Sequence, residues 1–402
     1  MNYRGLFMAD IHIGALSYTD TYDGIMYIKN LLKNLCKDER LDYIIIGGDF
    51  FDKQLYANDL YIKYAQKLML YFLASAKKVR VVYGTSSHES DQYGIFDTII
   101  EDFPEILDGI SYDFKVIKEL SDEWLFDDMH VLYVPEEYLF DKDEYYEDTF
   151  KKEDEYDYVF GHGVIQDAFP YIRPKENDHA RRHAPVFTTE ELSKICKGDV
   201  LFGHYHIHSE YLDGKVCYSG SMFRWIFGEE EDKGCYLLTL DTDCDLYNKY
   251  FLVNDKALTY ISFIYGYKDS VFTSPEDMDM DKAATKILKL QKKKKIDYLR
   301  VIFNIPVGYE DPEGLMNFFK ERFKDNKNIK LKFCNGYVEN EKELKHVEFS
   351  ELSEESKILL DKNIPKEDKV NYFLKVRKNV EMTTDRIAEL LQIKKGDTDN
   401  ES

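Results

Sequence analysis

Aspartate and histidine residues recur in five short motifs in the first half of the chain. In order, the motifs are Asp10-Ile11-His12-Ile13-Gly14, Gly48-Asp49-Phe50-Phe51-Asp52, Gly84-Thr85-Ser86-Ser87-His88-Glu89, Gly161-His162-Gly163 and Gly203-His204-Tyr205-His206. Carboxylate and imidazole groups suit ions such as Mn²⁺, Fe²⁺ and Zn²⁺. Two such ions can stabilise both the attacking and the leaving oxygen of a phosphoryl transfer. The set therefore predicts a centre with two metal ions that hydrolyses phosphoesters.

Each motif follows a short apolar segment that predicts a β-strand. These segments are residues 3–8, 41–46, 79–83, 158–160 and 200–202. Apolar residues at helical spacing predict helices at 24–35 and 62–73, between the first three strands. Alternating strands and helices are typical of an α/β fold, in which ligand sites lie at the carboxyl ends of strands. The five motifs are therefore expected to meet at one edge of the fold.

The composition predicts a globular and strongly acidic protein. Hydrophobic residues make up 44% of the 402 residues, and the formal net charge is −22. A protein that holds DNA by itself is typically basic, so the charge disfavours tight DNA binding by the isolated chain. Metal ions and a partner can supply the missing positive charge. Six cysteines without a CxxC pair, and no apolar run that could span a membrane, favour a cytoplasmic protein without a membrane partner.

The order of the five motifs resembles that of the calcineurin-like metallophosphoesterases. Asp10-Ile11-His12-Ile13-Gly14 looks like the first motif of their SbcD (meiotic recombination eleven) branch of DNA nucleases. A second stretch is similar to the segment after the last metal motif of those nucleases, namely Tyr218-Ser219-Gly220-Ser221, Arg224, Phe227-Gly228-Glu229, Lys233-Gly234 and Leu237. The resemblance implies an α/β fold with a four-layer β-sandwich flanked by helices. A small α+β capping domain and C-terminal helices would complete it.

The resemblance also implies a role for each motif residue. The first metal ion would be bound by Asp10, His12, Asp49 and His206. The second would be bound by Asp49, His162, His204 and one neutral oxygen. The catalytic residues would be His88, which stabilises or protonates the leaving oxygen, and Asp52. Asp52 and Glu89 would lie behind the ligands and orient the histidines. Mn²⁺ is the expected metal, with Mg²⁺, Fe²⁺ and Zn²⁺ as alternatives.

The third motif departs from the family pattern, in which Gly-Asn-His supplies an asparagine to the second metal ion. This chain has Gly84-Thr85-Ser86-Ser87-His88, with two additional residues and no asparagine. Ser87 is the candidate for the missing ligand, and a water molecule is the alternative. Because a hydroxyl is usually a weaker donor, reduced affinity is expected at the second site. The variant motif also favours a viral origin, in which case the protein would act in the host cytoplasm.

The sequence predicts four parts. A nuclease domain spans residues 1–255, and a small capping or DNA-binding domain spans 256–340, with strands at 260–265, 298–305 and 329–333 and helices at 275–294 and 313–323. Charged helices follow at 341–395, and a polar tail at 396–402 is expected to be disordered. In the SbcD branch the region like 341–395 binds the coiled coil of an SbcC-like, SMC-type ATPase. Packing on the chain's own domain is the alternative.

Two basic segments are candidates for DNA contact. Arg173, Arg181 and Arg182 lie between the fourth and fifth motifs, and Lys292 and Lys293 end a predicted helix. Clustered positive charge in an acidic chain can attract a phosphate backbone. The alternatives are a solvated loop for the arginines and, for the lysines, stabilisation of the helix dipole.

Three functions are consistent with these observations. The leading one is a Mn²⁺-dependent DNA exonuclease or endonuclease for end processing, recombination or repair. It would act as a homodimer within a heterotetramer with the ATPase. The second keeps the chemistry but acts on nucleotides or phosphoproteins, and the third is a scaffold with weakened catalysis. The stretch from 218 to 237 and the additional domain favour the first.

Overall fold

Two six-stranded sheets form the larger part of the protein. The computed structural model describes residues 1–97, 107, 109–139, 142–167, 185–265, 280–306 and 311–337. Sheet one comprises β1 (Asn2–Met8), β2 (Leu41–Gly47), β3 (Ala76–Val82), β4 (Asp113–Ile117), β13 (Gly234–Asp241) and β14 (Leu246–Val253), in the order β14-β13-β1-β2-β3-β4. Strands β1 to β4 run parallel, and β13 and β14 are antiparallel to their neighbours.

Sheet two has a similar parallel centre. It comprises β5 (Ser121–Phe126), β6 (Met129–Val134), β7 (Tyr158–His162), β10 (Val200–Gly203), β11 (Ser209–Tyr211) and β12 (Val216–Tyr218), in the order β11-β12-β10-β7-β6-β5. Strands β6, β7, β10 and β12 are parallel, and β5 and β11 are antiparallel edges. A small separate pair is formed by β8 (Val164–Ile165) and β9 (Val186–Phe187).

Alternation along the strands divides the apolar residues among three cores. In β2, Tyr43 and Ile45 belong to the core between the sheets, and Ile44 and Ile46 belong to the core behind sheet one. That outer core includes residues of α1 (Tyr18–Leu35) and α2 (Leu60–Ser75). The core behind sheet two includes residues of α4 (Lys142–Phe150) and α5 (Thr189–Lys194). The predicted four-layer α/β fold is confirmed.

Side-chain caps determine where the two long helices begin. Ser17 Oγ accepts a 3.2 Å hydrogen bond from the Asp20 N–H, and Asp59 Oδ1 accepts a 3.0 Å bond from the Tyr61 N–H. Both satisfy a donor that the first helical turn leaves unpaired. The cap at Ser17 explains why α1 begins earlier than the predicted start at residue 24.

A three-stranded sheet with the order β15-β16-β17 follows along the chain, formed by β15 (Tyr260–Tyr265), β16 (Tyr298–Pro306) and β17 (Ile329–Tyr337). Helices α6 (Met280–Lys293) and α7 (Pro312–Phe323) alternate with these strands, as predicted. The chain divides into two compact units, the first comprising Met1–Phe263, Asp279–Ile302 and Phe318–Lys332. The predicted domain boundaries stay predictions. No helix in the described ranges is long and apolar enough to cross a membrane.

The C-terminal predictions fall on residues that the structure does not describe. The proposed partner-binding helices at 341–395 and the tail at 396–402 lie outside the described ranges, which end at residue 337.

Candidate metal centre

The carboxyl ends of the central parallel strands bring all five motifs together. Sheet one supplies Asp10 and His12 after β1, Asp49 after β2, and His88 on the short helix α3 (Ser86–Glu89) after β3. Sheet two supplies His162 at the end of β7, and His204 and His206 after β10. Their ligand atoms form four groups, each within 4.8 Å, namely Asp10–His12–His206, His12–Asp49–His88, Asp10–Asp49–His162 and Glu136–His162–His204. The predicted ligands are therefore neighbours in space.

Backbone hydrogen bonds hold the first two motifs in register beyond their strands. The Asp10 N–H donates to Gly48 O at 3.1 Å, and the His12 N–H donates to Asp49 O at 3.0 Å. Asp10, His12 and Asp49 have φ near +50°, and His204 has φ 106°. Such values are uncommon for residues other than glycine, and strained backbone of this kind is concentrated at functional sites. The candidate ligands are thus held in conformations that unconstrained chain would avoid.

Asp49 lies at the middle of the centre. Its Oδ2 is 3.2 Å from His88 Nδ1 and 3.6 Å from His12 Nε2, and its Oδ1 is 3.4 Å from His162 Nε2. Burial alone would raise the pKa of Asp49, but the surrounding imidazoles hold it well below its usual range. A buried carboxylate with ligand groups on both sides is suited to bridging two cations.

Hydrogen bonds on the far side of two rings determine which nitrogen faces the centre. His162 Nδ1 is 2.8 Å from the carbonyl oxygen of Gly47, and His206 Nδ1 is 3.0 Å from Glu229 Oε1. Each contact is satisfied when Nδ1 carries the proton, which leaves Nε2 as a lone-pair donor. Both rings are therefore oriented as metal-binding histidines usually are.

The stretch after β12 encloses His206. Glu229, which is buried, also accepts a 3.2 Å hydrogen bond from the Trp225 N–H, and the Trp225 ring centroid lies 4.7 Å from that of His206. The fully buried ammonium of Lys233 donates to the His206 carbonyl at 2.7 Å and lies 3.5 Å from Glu229 Oε1. Burial lowers the pKa of Lys233. The sequence marked this stretch by resemblance but did not assign these contacts.

The third motif meets the centre through Thr85. Its Oγ1 donates to Glu136 Oε2 at 3.1 Å and lies 3.4 Å from Asp49 Oδ2, whereas Ser87 is exposed on α3. The hydroxyl beside the Glu136 and Asp49 carboxylates therefore belongs to Thr85 and not to the predicted Ser87. Ser86 and Ser87 form the start of α3, and both are exposed.

Glu136 is the ligand candidate that sequence reasoning missed. It follows β6 in the segment Pro135-Glu136-Glu137, which has neither histidine nor glycine to mark it. Its Oε2 lies 3.1 Å from His204 Nδ1 and 3.6 Å from His162 Nε2. Burial alone would raise the pKa of Glu136, but the two histidines lower it to about 2. A carboxylate that should be ionised thus lies beside His162 and His204 in one of the four groups.

Asp52 and Glu89 lie behind the candidate ligands. Asp52 Oδ1 is 3.6 Å from His12 Nδ1, beyond hydrogen-bond distance, and its orienting role stays a prediction. Glu89 instead accepts hydrogen bonds from the backbone N–H groups of Phe50 at 3.2 Å and Gly84 at 3.3 Å. Burial, followed by the charge of Asp49, raises the pKa of Glu89 to about 7. Glu89 therefore joins the second and third motifs rather than orienting a histidine.

The ring nitrogens of His12, which lack hydrogen-bond partners, indicate that the centre fits bound cations. Both of its ring nitrogens are buried, and neither forms a hydrogen bond with a described residue. Nε2 is 3.6 Å from Asp49 Oδ2 and 3.9 Å from Asp10 Oδ1, beyond hydrogen-bond distance of either oxygen. A buried nitrogen without a partner is costly, and a cation between it and the carboxylates would satisfy all three groups.

The family model of the calcineurin-like phosphoesterases matches residues 3–208. This chain belongs to that family. The match contains all five motifs and ends just after His206, so the reaction class is metal-dependent phosphoester hydrolysis. The family assignment does not extend to the identity of the metal or of the substrate.

Other comparisons add little to this assignment. The chain is similar to solved structures of Vps29 from Entamoeba histolytica. A single-mutant form is 11% identical with a TM-score of 0.27, covering 63% of this chain and 99% of that chain. A zinc complex of the wild-type protein is 10% identical with a TM-score of 0.24, covering 62% and 98%. A comparison with curated proteins finds no match.

The structure describes two of the five residues that were predicted to contact DNA. Arg173, Arg181 and Arg182 are outside the described ranges, which resume at residue 185. Lys292 and Lys293 are exposed in the last turn of α6, where positive charge also complements the helix dipole.

Proposed function

We propose that this chain is the nuclease subunit of a DNA-processing complex and hydrolyses phosphodiester bonds as an exonuclease or endonuclease. The substrate is inferred from the stretch between residues 218 and 237, which is similar to a segment of the SbcD nucleases. In this chain the stretch places Glu229 3.0 Å from His206. That contact is the observation that carries the proposal, because it joins the nuclease-like stretch to a candidate metal ligand.

In the proposed reaction, the cations and the side chains of the centre have different roles. Two divalent ions, when bound, would polarise the phosphate and make water more acidic. Asp10, His12, Asp49 and His206 would hold one ion, and Asp49, His162 and His204 would contribute to the other. The side chain of His88 is 34% exposed, and Asp49 raises its pKa. The raised pKa favours the protonated imidazole, so His88 is suited to giving a proton to the leaving oxygen.

The negative charge of the chain favours a complex in which a partner holds the DNA and this chain cleaves it. A net charge of −22 opposes close approach of a DNA backbone outside the metal centre. An SbcC-like ATPase would supply positive surface and bring DNA to the nuclease. We propose a heterotetramer in the cytoplasm, in which two copies of this chain join two ATPase subunits through the region at 341–395.

The first experiment combines purified protein and Mn²⁺ with end-labelled linear duplex DNA and with circular single-stranded DNA. His88→Asn removes the proposed proton donor, and Ser87→Ala on the same short helix is the matched control. We expect metal-dependent cleavage that His88→Asn reduces by about 10²–10⁴-fold and Ser87→Ala leaves unchanged. No cleavage, even after addition of the ATPase, would contradict the proposal.

The net charge favours a second candidate, a phosphodiesterase or phosphatase that acts on nucleotides or phosphoproteins. Small substrates place little backbone charge against an acidic surface. The same preparation, supplied with cyclic nucleotides and nucleoside monophosphates, distinguishes the two. Turnover of nucleotides far faster than of DNA would replace the nuclease proposal with this one.

A further inference from the structure

Three parallel strands of sheet two end side by side at the metal centre. In the order β10-β7-β6, the residues at or just after their carboxyl ends are His204, His162 and Glu136. The first two are candidate ligands already identified from the motifs. Because neighbouring parallel strands deliver their carboxyl ends to the same edge, the third position of the row is equally suited to a ligand.

Several contacts hold the Glu136 carboxylate toward the centre. Its backbone N–H donates to Tyr83 O at 3.1 Å, so the residue is anchored to the end of β3 in sheet one. The Tyr138 hydroxyl donates to Oε1 at 2.8 Å, and the Thr85 hydroxyl donates to Oε2 at 3.1 Å. Oε2 is thereby directed at the rings of His162 and His204, at 3.6 and 3.1 Å.

The burial of the Glu136 carboxylate indicates that it binds a cation. The Glu136 side chain is 4% exposed, and its ion pairs among the described residues are with those two histidines. A buried carboxylate is costly unless it is paired or binds a metal ion. A divalent cation shared with the two imidazoles would offset the charge of the carboxylate and satisfy all three groups.

We propose that Glu136 binds the second metal ion together with Asp49, His162 and His204. Thr85 positions the carboxylate, and no neutral ligand from the third motif is needed. The inference rests on the proposed two-ion centre. It reverses the expectation of weak binding at the second site, because two carboxylates would face that cation instead of one.

Metal titration of the purified full-length protein tests the proposal without reference to DNA. Calorimetry with Mn²⁺ should resolve two sites in the wild-type protein. We expect Glu136→Gln, which removes the charge but keeps an oxygen, to weaken one site by about tenfold or more. Glu136→Ala should abolish that site and leave the other unchanged. Glu137→Gln is the matched control, because Glu137 accepts a hydrogen bond from the Leu120 N–H at 2.9 Å instead of facing the centre.

Electron paramagnetic resonance supplies a second measurement. Two neighbouring Mn²⁺ ions give a spin-coupled spectrum, and Glu136→Ala should convert it to that of isolated Mn²⁺. Thermal unfolding in EDTA establishes that each variant folds. Two sites of unchanged affinity in both Glu136 variants, or fewer than two ions in the wild-type protein, would overturn the proposal. Two bound ions without DNA cleavage would count against the nuclease function but leave the assignment of Glu136 intact.

Discussion

The backbone N–H of Thr85 donates a 2.7 Å hydrogen bond to Asp49 Oδ1. This bond places the third motif against the Asp49 carboxylate, which belongs to two of the four groups of ligands. Gly84, the residue before Thr85, makes the close approach possible, because a Cβ on it would lie 2.3 Å from Asp49 N and 2.4 Å from Oδ1. The absence of a side chain at position 84 is therefore a condition for the geometry of Asp49.

We expect Gly84→Ala to abolish tight Mn²⁺ binding and to lower the melting temperature, because Asp49 must move to accommodate the methyl group. Gly94→Ala is the matched control, since a Cβ at Gly94 meets no atom within 4 Å. Calorimetric titration and thermal unfolding measure the two effects. Normal metal affinity in Gly84→Ala would show that Asp49 is not held as described.

Loss of the Glu229 carboxylate should weaken the site that contains His206. Glu229→Gln leaves His206 without its negatively charged acceptor and Lys233 without its buried counter-ion. We expect affinity for one Mn²⁺ ion to fall by about 10–100-fold, with the other site unaffected. Glu230→Gln is the control, because Glu230 is exposed. Equal affinities in the two variants would argue against the orienting role of Glu229.

An ion-pair network far from the centre should make stability depend on pH. The fully buried guanidinium of Arg80 lies 2.7 Å from Asp113 and 2.8 Å from Glu123. Burial alone would raise the pKa of Glu123, but Arg80 and Lys115 lower it to about 2. A lowered pKa stabilises the fold above the unfolded-state value of 4.5, and this stabilisation is lost as the pH falls from 4.5 toward 2.

We therefore expect Glu123→Gln to lower the free energy of unfolding by about 3 kcal/mol at pH 7, because it leaves Arg80 buried with one counter-ion fewer. The difference from wild type should shrink as the pH falls below 4.5. Urea unfolding at several pH values measures it. Glu153→Gln, an exposed substitution, should have little effect at any pH. A difference that does not depend on pH would exclude the ionised Glu123 as its source.

Metal binding should stabilise the fold, because the ligands come from both sheets. At a free Mn²⁺ concentration about 100 times Kd, one site contributes about 2.7 kcal/mol to the free energy of unfolding. We expect EDTA to lower the melting temperature of the wild-type protein. The same treatment should have a smaller effect on Asp10→Asn, which lacks a carboxylate at the centre. An identical response of both proteins would indicate that Asp10 does not bind metal.

The sequence was sufficient to predict the strands that carry the motifs. Apolar runs end where glycine and a candidate ligand begin, as at Gly48-Asp49 and Gly203-His204, so the local pattern contains both the strand and the site. Alternating strands and helices predicted an α/β fold, and the family resemblance implied its four layers. Apolar spacing predicts too late a start for α1, because the helix begins at the cap formed by Ser17 and not where that spacing begins.

Glu136 and Thr85 could not be identified in the same way. The sequence does not reveal that β6 lies beside β7, and only that adjacency brings Glu136 to His162. Spacing within a loop does not fix which hydroxyl points inward, so the sequence alone does not distinguish Thr85 from Ser87. Both cases concern tertiary arrangement, which no local pattern encodes.

The position of β13 has a consequence for the synthesis of the protein. Strand β1 lies between β2 and β13, pairing Leu6 with Ile44 on one side and with Leu237 on the other. During synthesis, β1 lacks its β13 partner until the ribosome has added more than two hundred residues. Until then, the backbone groups on that side of β1 have no partner strand. Asp10 follows β1, and its neighbouring ligand candidate His206 is likewise made much later. We therefore expect a chain that ends before His206 to lack hydrolytic activity, because its group of ligands around Asp10 is incomplete.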